Sequence, residues 1–300
     1  MGHFFRMISA RWEREEIASW SSLRKTVYLL LPLLLYFVVH DATEILLWAG
    51  LDGIMTGGSE GLSDFLTDNA YTVRGMINGL AILAGVAAIR RAVWEEIRFE
   101  SRDDYGKTKD AASPVRGGME AVVTRYAVLG ALAFLSALAL NLIFSLQGIT
   151  DGSQSYVRTA RAQYGVDFAF GLFLYGILSP VAEEAVFRGL IYNRMKRCFG
   201  IRIALVVSSL FFGCYHGNWV QALYGTLLGL LIAWTYERYE SFAAPVLFHG
   251  VANVSIYAMT YHNTLADMSR PVSVGVIAFS LAGTAVCLWY VGRRINGRKK

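Results

Sequence analysis

Two adjacent carboxylates are the residues of this sequence best suited to chemistry. Glu183 and Glu184 follow the apolar run 168–178 and precede Arg188. Ionisable side chains at membrane depth are costly unless they are paired or hydrated, so they usually mark functional sites. Adjacent helical residues point about 100° apart, whereas Glu184 and Arg188, four residues apart, share one helix face. We therefore predict that Arg188 neutralises Glu184 and that Glu183 stays free to act as a base.

Two histidines could complete a site with Glu183. His216 follows the basic turn 197–200 by about 17 residues, and Glu183 precedes the same turn by about 16. At a rise of about 1.5 Å per residue, the two side chains climb to a similar height on neighbouring antiparallel helices. Phe212, one turn before His216, can pack beside the imidazole and help to exclude water. The spacing thus allows Glu183 and His216 to meet inside the membrane.

The second histidine lies on a later apolar segment. His249 and Asn253 are four residues apart, so they share a helix face. Counted from a turn near Glu240, His249 lies somewhat nearer the cytoplasm than His216. Either the turn is displaced or one of the helices is kinked, and the sequence leaves both alternatives open.

These residues fall into three spaced motifs. In chain order the motifs are Glu183-Glu184-x-x-x-Arg188, Phe212-x-x-x-His216 and His249-x-x-x-Asn253. They resemble the signature motifs of the CPBP intramembrane endopeptidases, a family that includes the type II CAAX prenyl proteases and the abortive-infection proteins. The resemblance covers about residues 169–259. Each motif alone is weak, but all three in order and in separate apolar segments form a specific pattern.

The resemblance implies that this protein is an intramembrane protease that hydrolyses a peptide bond with a water molecule. It implies that Glu183 and His216 activate the water and that His249 and Asn253 stabilise the oxyanion. Glu184, Arg188 and Phe212 would support these four residues. A desolvated carboxylate is a better base near neutral pH, and paired donors stabilise a tetrahedral intermediate in a site of low dielectric constant.

Under this interpretation the protein uses no cofactor. One glutamate and two histidines also resemble a catalytic zinc site, in which Glu183, His216 and His249 would be the ligands. The sequence contains no HExxH motif. A zinc-dependent protease therefore remains the alternative mechanism.

The composition indicates where these residues must lie. Hydrophobic residues make up 55% of the chain and charged residues 17%, and the mean hydropathy is +0.40. These values are typical of an integral membrane protein. The formal net charge of +5 would suit nucleic acid, but the basic residues fall between apolar runs and at the chain ends. Membrane topology explains that placement better, so we expect no nucleic-acid partner.

The fold class that follows is an all-α polytopic transmembrane helix bundle of about eight spans. A span needs about 20 mainly apolar residues. The candidates are Val27–Ala49, Val73–Val93, Ala121–Leu146, Val166–Ile191, Ile201–His216, Trp219–Tyr236, Ala243–Tyr261 and Val272–Val291. The fifth and sixth are short and nearly continuous, which makes the boundaries within 201–236 uncertain. We predict a single membrane domain over 1–300 with its catalytic core at about 166–261.

The charges of the connecting segments indicate the topology. Basic residues concentrate at 24–25, 90–116, 194–202 and 293–300, which alternate with segments poor in Lys and Arg. By the positive-inside rule both termini are cytoplasmic, which requires an even number of spans. The compact, loop-poor architecture favours a prokaryotic cytoplasmic membrane.

Two cytoplasmic segments lie outside the predicted spans. Residues 1–26 resemble an amphipathic helix on the membrane surface. Residues 95–120 form the only sizeable polar loop, and within it we expect Glu95 and Glu96 to be solvated.

Two other classes of protein also fit parts of the sequence. His40 and Asp41, with Glu44 one turn later, could belong to the proton pathway of a transporter, although their place near the outer end of the first span favours a wetted helix terminus. We find no repeat symmetry or paired broken helices, which would favour a transporter. A non-proteolytic immunity or scaffold protein is the second alternative, because some relatives of this family serve in those roles.

The expected partners are the lipid bilayer and a membrane-anchored protein or peptide substrate. The family resemblance admits a prenylated C-terminal peptide, the sorting or anchor segment of a membrane protein, or a peptide precursor. The sequence does not distinguish these substrates, and it does not indicate the oligomeric state.

Overall fold

The computed structural model describes Met7, Ile8, Trp12, residues 14–100 and residues 118–295. These residues form helices and no β-strand, which confirms the predicted all-α bundle. In chain order the helices are α1 Arg14–Ala18, α2 Ser22–Gly57, α3 Glu60–Asp68, α4 Ala70–Glu100, α5 Gly118–Leu146, α6 Gln154–Tyr164, α7 Phe168–Phe199, α8 Ile201–Cys214, α9 Trp219–Tyr239, α10 Ala243–Tyr261 and α11 Arg270–Arg294.

Each predicted span overlaps a helix, although several bounds differ, and the helices differ in their capacity to cross a bilayer. Within the described part of the chain, five helices are long and apolar enough to do so: α2, α4, α5, α7 and α11. Helix α8 has 14 residues, a length of about 21 Å at 1.5 Å per residue, which is less than a hydrocarbon core of about 30 Å. The count of eight spans and the cytoplasmic placement of the termini therefore remain predictions.

The outer surface of the bundle carries large apolar side chains. On α11, Phe279 is 72% exposed and Val286 is 65% exposed. On α2, Leu34, Val38 and Leu46 likewise face outward. A soluble monomer rarely presents such continuous apolar surface, whereas lipid tails solvate it. This surface supports an integral membrane protein.

Helix α7 lies at the centre of the bundle. It packs against α2, α4, α8, α9 and α10, and its residues 184–195 are all buried. A glycine ends α7 because Gly200 has a φ of +85°, a conformation that side chains with a Cβ rarely adopt. The chain then returns as α8, so the turn lies where the sequence predicts it.

A buried ionic cluster joins α7 to α4 and α2. Glu96 is 1% exposed and accepts hydrogen bonds from Arg194 Nε at 3.0 Å, from Tyr28 Oη at 3.1 Å and from Arg197. The expectation that Glu96 is solvated is wrong, because α4 continues through Glu100 and carries this side chain against α7. Glu95, its neighbour, is exposed as expected. Of the predicted loop 95–120, residues 101–117 lie outside the described residues.

The same cluster fixes the described part of the N-terminal segment. Arg194 Nη2 donates to the carbonyl oxygen of Ile8 at 2.6 Å, and Arg194 Nη1 donates to that of Met7 at 3.2 Å. Trp12 and Trp20 are buried, and Trp20 packs edge-on against both Trp12 and the ring of Tyr28. These apolar side chains are therefore buried within the protein, in one cluster with Tyr28. The location of residues 1–26 at the membrane surface remains a prediction, since most of residues 1–13 lie outside the described part.

Close packing of α8 on α9 gives the first testable prediction. A Cβ on Gly213 would lie 2.3 Å from the carbonyl oxygen of Ala222 and 2.3 Å from Thr226 Oγ1. We expect Gly213→Ala to lower the free energy of unfolding by about 1–3 kcal/mol, the usual effect of overpacking. Thermal unfolding in detergent measures this change.

Gly130 provides the matched control for Gly213. It lies inside α5, and a Cβ there would have no atom within 4 Å. Because alanine is the better helix former, Gly130→Ala should leave the thermal midpoint unchanged or raise it. Equal midpoints for the two variants would contradict the close packing.

Candidate active site

Helix α7 departs from regular α-helical geometry on both sides of the two carboxylates. Leu174–Leu178 and Ala185–Tyr192 are π-helical, and Ser179–Glu184 between them is α-helical. Pro180 explains the first departure, because proline has no N–H and its ring crowds the carbonyl of Gly176 four residues earlier. Such π-helical insertions occur frequently at functional sites.

The second π-helical stretch also resolves the alternatives on helix depth. A π-helix has more residues in each turn than an α-helix. The distance along the helix from Glu183 to the turn at Gly200 is therefore less than about 24 Å, the height of 16 residues in a regular α-helix. The turn near Glu240 lies where the sequence predicts it, with Glu240 in the left-handed region at a φ of 49°. The irregular helix is α7, and the lower position of Glu183 allows His249 to reach it.

Small residues let α7 and α10 approach one another. A Cβ on Gly250 would lie 3.0 Å from the carbonyl oxygen of Gly176, and a Cβ on Gly176 would lie 2.4 Å from Val254 Cγ2. This close approach brings the residues on one face of α10, His249 and Asn253, against α7.

Glu184 is fully buried and has two partners. Its Oε1 accepts a hydrogen bond from Arg188 Nη1 at 3.0 Å, which is the ion pair that the four-residue spacing predicts. The same oxygen lies 2.8 Å from His249 Nδ1. Since a carboxylate accepts, Nδ1 of His249 carries a proton and donates it. Glu184 therefore both neutralises Arg188 and orients His249.

Arg188 packs on Phe212, the aromatic ring that contacts both histidines of the site. Its guanidinium is fully buried, lies 4.5 Å from the ring centroid of Phe212 and donates through Nη2 to the carbonyl oxygen of Gly229 at 3.0 Å. The Phe212 ring meets His216 edge-on at 5.3 Å and His249 edge-on at 5.4 Å. Phe212 thus separates the two imidazoles and excludes water from one side of each.

Glu183, unlike Glu184, has no close ion-pair partner among the described residues, although one oxygen of each carboxylate lacks a hydrogen bond there. Its side chain is 12% exposed, and its Oε2 has no hydrogen-bond partner in the described part of the protein. Oε2 lies 3.8 Å from His249 Nε2, beyond hydrogen-bond distance. A carboxylate without a hydrogen-bond donor on that oxygen is available to accept a proton.

His216 lies in a turn and not in a helix, contrary to the predicted span Ile201–His216. Helix α8 ends at Cys214, and Gly217 has a φ of +72°. Nδ1 of His216 lies 3.0 Å from the carbonyl oxygen of Phe212, so it donates that hydrogen bond and leaves Nε2 as the acceptor. Irregular backbone at membrane depth is tolerated where it lines a cavity.

Asn253 connects α10 to the first π-helical stretch. Its Nδ2 donates to the carbonyl oxygen of Tyr175 at 2.9 Å. An amide nitrogen carries two hydrogens, so one remains available for another acceptor.

One cavity of about 850 Å³ contains the candidate residues. The four that the motifs assign to catalysis all line it: Glu183, His216, His249 and Asn253. Glu184 and Arg188 do not line it. Glu183 and His216 therefore line one cavity, and the basic side chain within 4 Å of Glu183 in the described structure is His249, whose Nε2 lies 3.8 Å from Glu183 Oε2.

The residues that would hold zinc do not form a metal-binding cluster. Across residues 14–100, 118–295 and the few described positions before them, no group of three His, Cys, Asp or Glu side chains is arranged to hold a metal ion. His249 Nδ1 already donates to Glu184, and its Nε2 lies 3.8 Å from Glu183. A zinc ion would require bonds of about 2.0–2.2 Å to both Nε2 and a Glu183 oxygen.

Comparison with known proteins gives matches in this part of the chain. The family model described as type II CAAX prenyl endopeptidase Rce1-like matches residues 165–255. The family resemblance is confirmed. This Rce1-like segment contains all seven motif residues, from Glu183 to Asn253.

A relative from Bacillus subtilis (strain 168) is named "Putative membrane peptidase YdiL". It is 28% identical to this chain over 83 residues, which are 28% of this chain and 34% of the relative. The match thus spans about a third of that relative's length. No solved structure matches the chain.

Sequence reasoning missed two features of the site. It paired Glu184 with Arg188 alone, because the bond from Glu184 to His249 joins residues 65 positions apart. It also placed His216 inside a helix, although Gly217 and Asn218 directly after it are residues typical of turns. The second miss could have been avoided from the sequence.

Proposed function

We propose that this protein is an intramembrane endopeptidase that hydrolyses a peptide bond of a membrane-associated protein or peptide. The observation that carries the proposal is the one cavity lined by all four motif residues, in which Glu183 Oε2 has no hydrogen-bond partner among the described residues, whereas Glu184 is bonded to Arg188. The Rce1-like match and the relative named as a membrane peptidase support the same class of reaction.

In the proposed reaction Glu183 takes a proton from a water molecule in the cavity. The water oxygen then bonds to the carbonyl carbon of the substrate, and the carbonyl oxygen becomes an oxyanion. Nε2 of His216, free because Nδ1 donates to the carbonyl of Phe212, accepts a hydrogen bond from the same water and orients it. A base positioned in this way contributes about 10²- to 10⁴-fold to the rate.

The oxyanion would be stabilised by donors from α10. Asn253 has one amide hydrogen beyond the one bonded to Tyr175. His249 donates through Nε2 when its ring is protonated, and the carboxylate of Glu184 at 2.8 Å from Nδ1 stabilises that charged ring. Donors held in place in a poorly solvated site need no reorganisation when the charge develops.

The cavity reaches exposed residues at one end, which gives water a route to Glu183. It extends from Glu183 to helix α6, where Arg158 and Thr159 line it and are exposed. Helix α6 and the start of α4 lie at the end of the bundle away from the basic turn at Gly200. Under the predicted topology water therefore enters from the non-cytoplasmic side.

We propose that the reaction needs no metal ion. Purified protein treated with a strong chelator should keep its full activity, because Glu183 and His216 supply the base. Activity that disappears in the chelator and returns with zinc would instead establish the zinc-dependent mechanism.

A comparison of protein termini in living cells tests the proposed function. Cells that produce the wild type and cells that produce Glu183→Gln at equal levels are compared by quantitative mass spectrometry of membrane-protein N- and C-termini. The wild type should generate termini that the variant lacks. Identical sets of termini would contradict a proteolytic role.

A further inference from the structure

A second acid–base pair lines the cavity and has no role in the mechanism above. Nδ1 of His40 lies 2.9 Å from Asp41 Oδ1, so Nδ1 donates to the carboxylate. The tautomer is thereby fixed, and Nε2 is left for proton exchange. The His40 side chain is only 12% exposed, and its Nε2 has no hydrogen-bond partner among the described residues.

His40 does not lie at a wetted helix terminus, and that expectation is wrong. Helix α2 continues to Gly57, so His40 stands in its middle, 18 residues after Ser22. Asp41 is exposed, but His40 is largely buried between the helices. The longer helix places His40 in the middle of α2 and not at its end.

The ionic cluster sets the height of His40 relative to Glu183. Tyr28 on α2 and Arg194 on α7 are joined at one level, since Arg194 Nη1 donates to the Tyr28 carbonyl at 2.6 Å. His40 lies 12 residues beyond Tyr28, or about 18 Å, and Glu183 lies 11 residues before Arg194, or at most about 17 Å. The two side chains therefore reach nearly the same depth.

Two tyrosines lie in the same region as the pair and the proposed base, and the ring of Tyr36 lies 6.0 Å from that of His40 between centroids. The side chains of Tyr36 and Tyr215 hydrogen-bond to one another. Each also interacts electrostatically with both Glu183 and Asp41. The two tyrosines are thus near both carboxylates, and His40, Asp41 and Glu183 all line the central cavity.

We propose that His40, held by Asp41, donates the proton that the leaving amine takes up when the peptide bond breaks. The inference rests on the proposed function and adds a catalytic residue to it. Glu183 takes one proton from the attacking water. As the C–N bond breaks, the leaving nitrogen keeps the electron pair of that bond and takes the proton from Nε2 of protonated His40. His40 ends neutral and Glu183 ends protonated, and transfer of that proton back to His40 through the cavity restores both.

The alternative donor is Glu183 itself, which could carry the proton of the water to the nitrogen. The two routes make different demands on the leaving group. An amine leaves only when it is protonated, whereas a nitrophenolate leaves without a proton. A general acid therefore accelerates cleavage of an amide and hardly affects cleavage of a nitrophenyl ester.

The test measures both reactions with purified variants. The probes are a peptide spanning a cleavage site from the comparison of termini, and the same sequence up to the scissile carbonyl as a nitrophenyl ester. We expect His40→Gln to lower kcat on the peptide by about 10²- to 10⁴-fold and to leave the ester rate within a factor of about three. Asp41→Asn should also lower kcat on the peptide, by a smaller factor, and should leave the ester rate nearly unchanged.

His262→Gln is the matched control, since His262 is exposed at the end of α10 and does not line the cavity. It should change neither rate. An unchanged peptide rate in His40→Gln would make Glu183 the donor, and equal losses on peptide and ester would make His40 a structural residue; either result overturns the inference. If the wild type cleaved no peptide, the proposed function itself would fail, whereas a Glu183→Gln variant that cleaved the peptide at the wild-type rate would remove only Glu183 from the mechanism.

Discussion

Glu183→Gln should abolish peptide-bond cleavage and leave the protein folded. Glutamine keeps the size of the side chain but cannot accept the proton of the water, so we expect kcat to fall by about 10²- to 10⁴-fold. Oε2 of Glu183 has no hydrogen-bond partner within the described residues, so its replacement breaks no bond there. Activity is measured with the peptide probe, and folding by thermal unfolding in detergent.

Glu95→Gln is the control for the loss of a carboxylate. Glu95 is exposed on α4 and does not line the cavity, so this variant should match the wild type in both assays. A Glu183→Gln protein that is folded and fully active would remove Glu183 from the mechanism. A Glu183→Gln protein that fails to fold would show that Glu183 has a structural role, which the absence of a hydrogen-bond partner for its Oε2 among the described residues does not indicate.

Glu184→Gln should, unlike Glu183→Gln, destabilise the protein strongly. Arg188 is fully buried, and Glu184 is the carboxylate that balances its charge at 3.0 Å. Removal of one partner of a buried ion pair typically costs about 3–5 kcal/mol, because the remaining charge is uncompensated. We expect a large fall in the thermal midpoint, and also a loss of activity because His249 loses the carboxylate that orients it.

A double variant separates these two effects. Glu184→Gln combined with Arg188→Met removes the unbalanced cation, so stability should recover in part. Activity should remain low, since His249 still lacks its carboxylate. If Glu184→Gln had the thermal midpoint of the wild type, the ion pair would not contribute to the fold as described.

The features that the sequence predicts well are those set by neighbours in the chain. The apolar runs predict where the helices lie, and α10 coincides with the predicted span Ala243–Tyr261. The four-residue spacing predicts the pair of Glu184 with Arg188. Both depend only on helical periodicity, which a sequence displays directly.

The features that the sequence does not predict depend on contacts between distant residues. Glu96 looks like a solvated carboxylate, and it is buried only because Arg194 and Arg197 approach from α7. His249 reaches Glu184 because α7 is π-helical and because α10 packs closely at Gly250. No local pattern encodes such tertiary geometry, although Pro180 signals that α7 is irregular.

Isotope labelling of the products tests most directly whether Glu183 drives hydrolysis. Membrane proteins solubilised from cells that lack this protein are incubated in H₂¹⁸O with purified wild type or with Glu183→Gln, and new C-termini are analysed by mass spectrometry. The wild type should generate new C-termini that carry one ¹⁸O, and Glu183→Gln should generate none. Equal numbers of labelled C-termini in the two reactions would contradict the account.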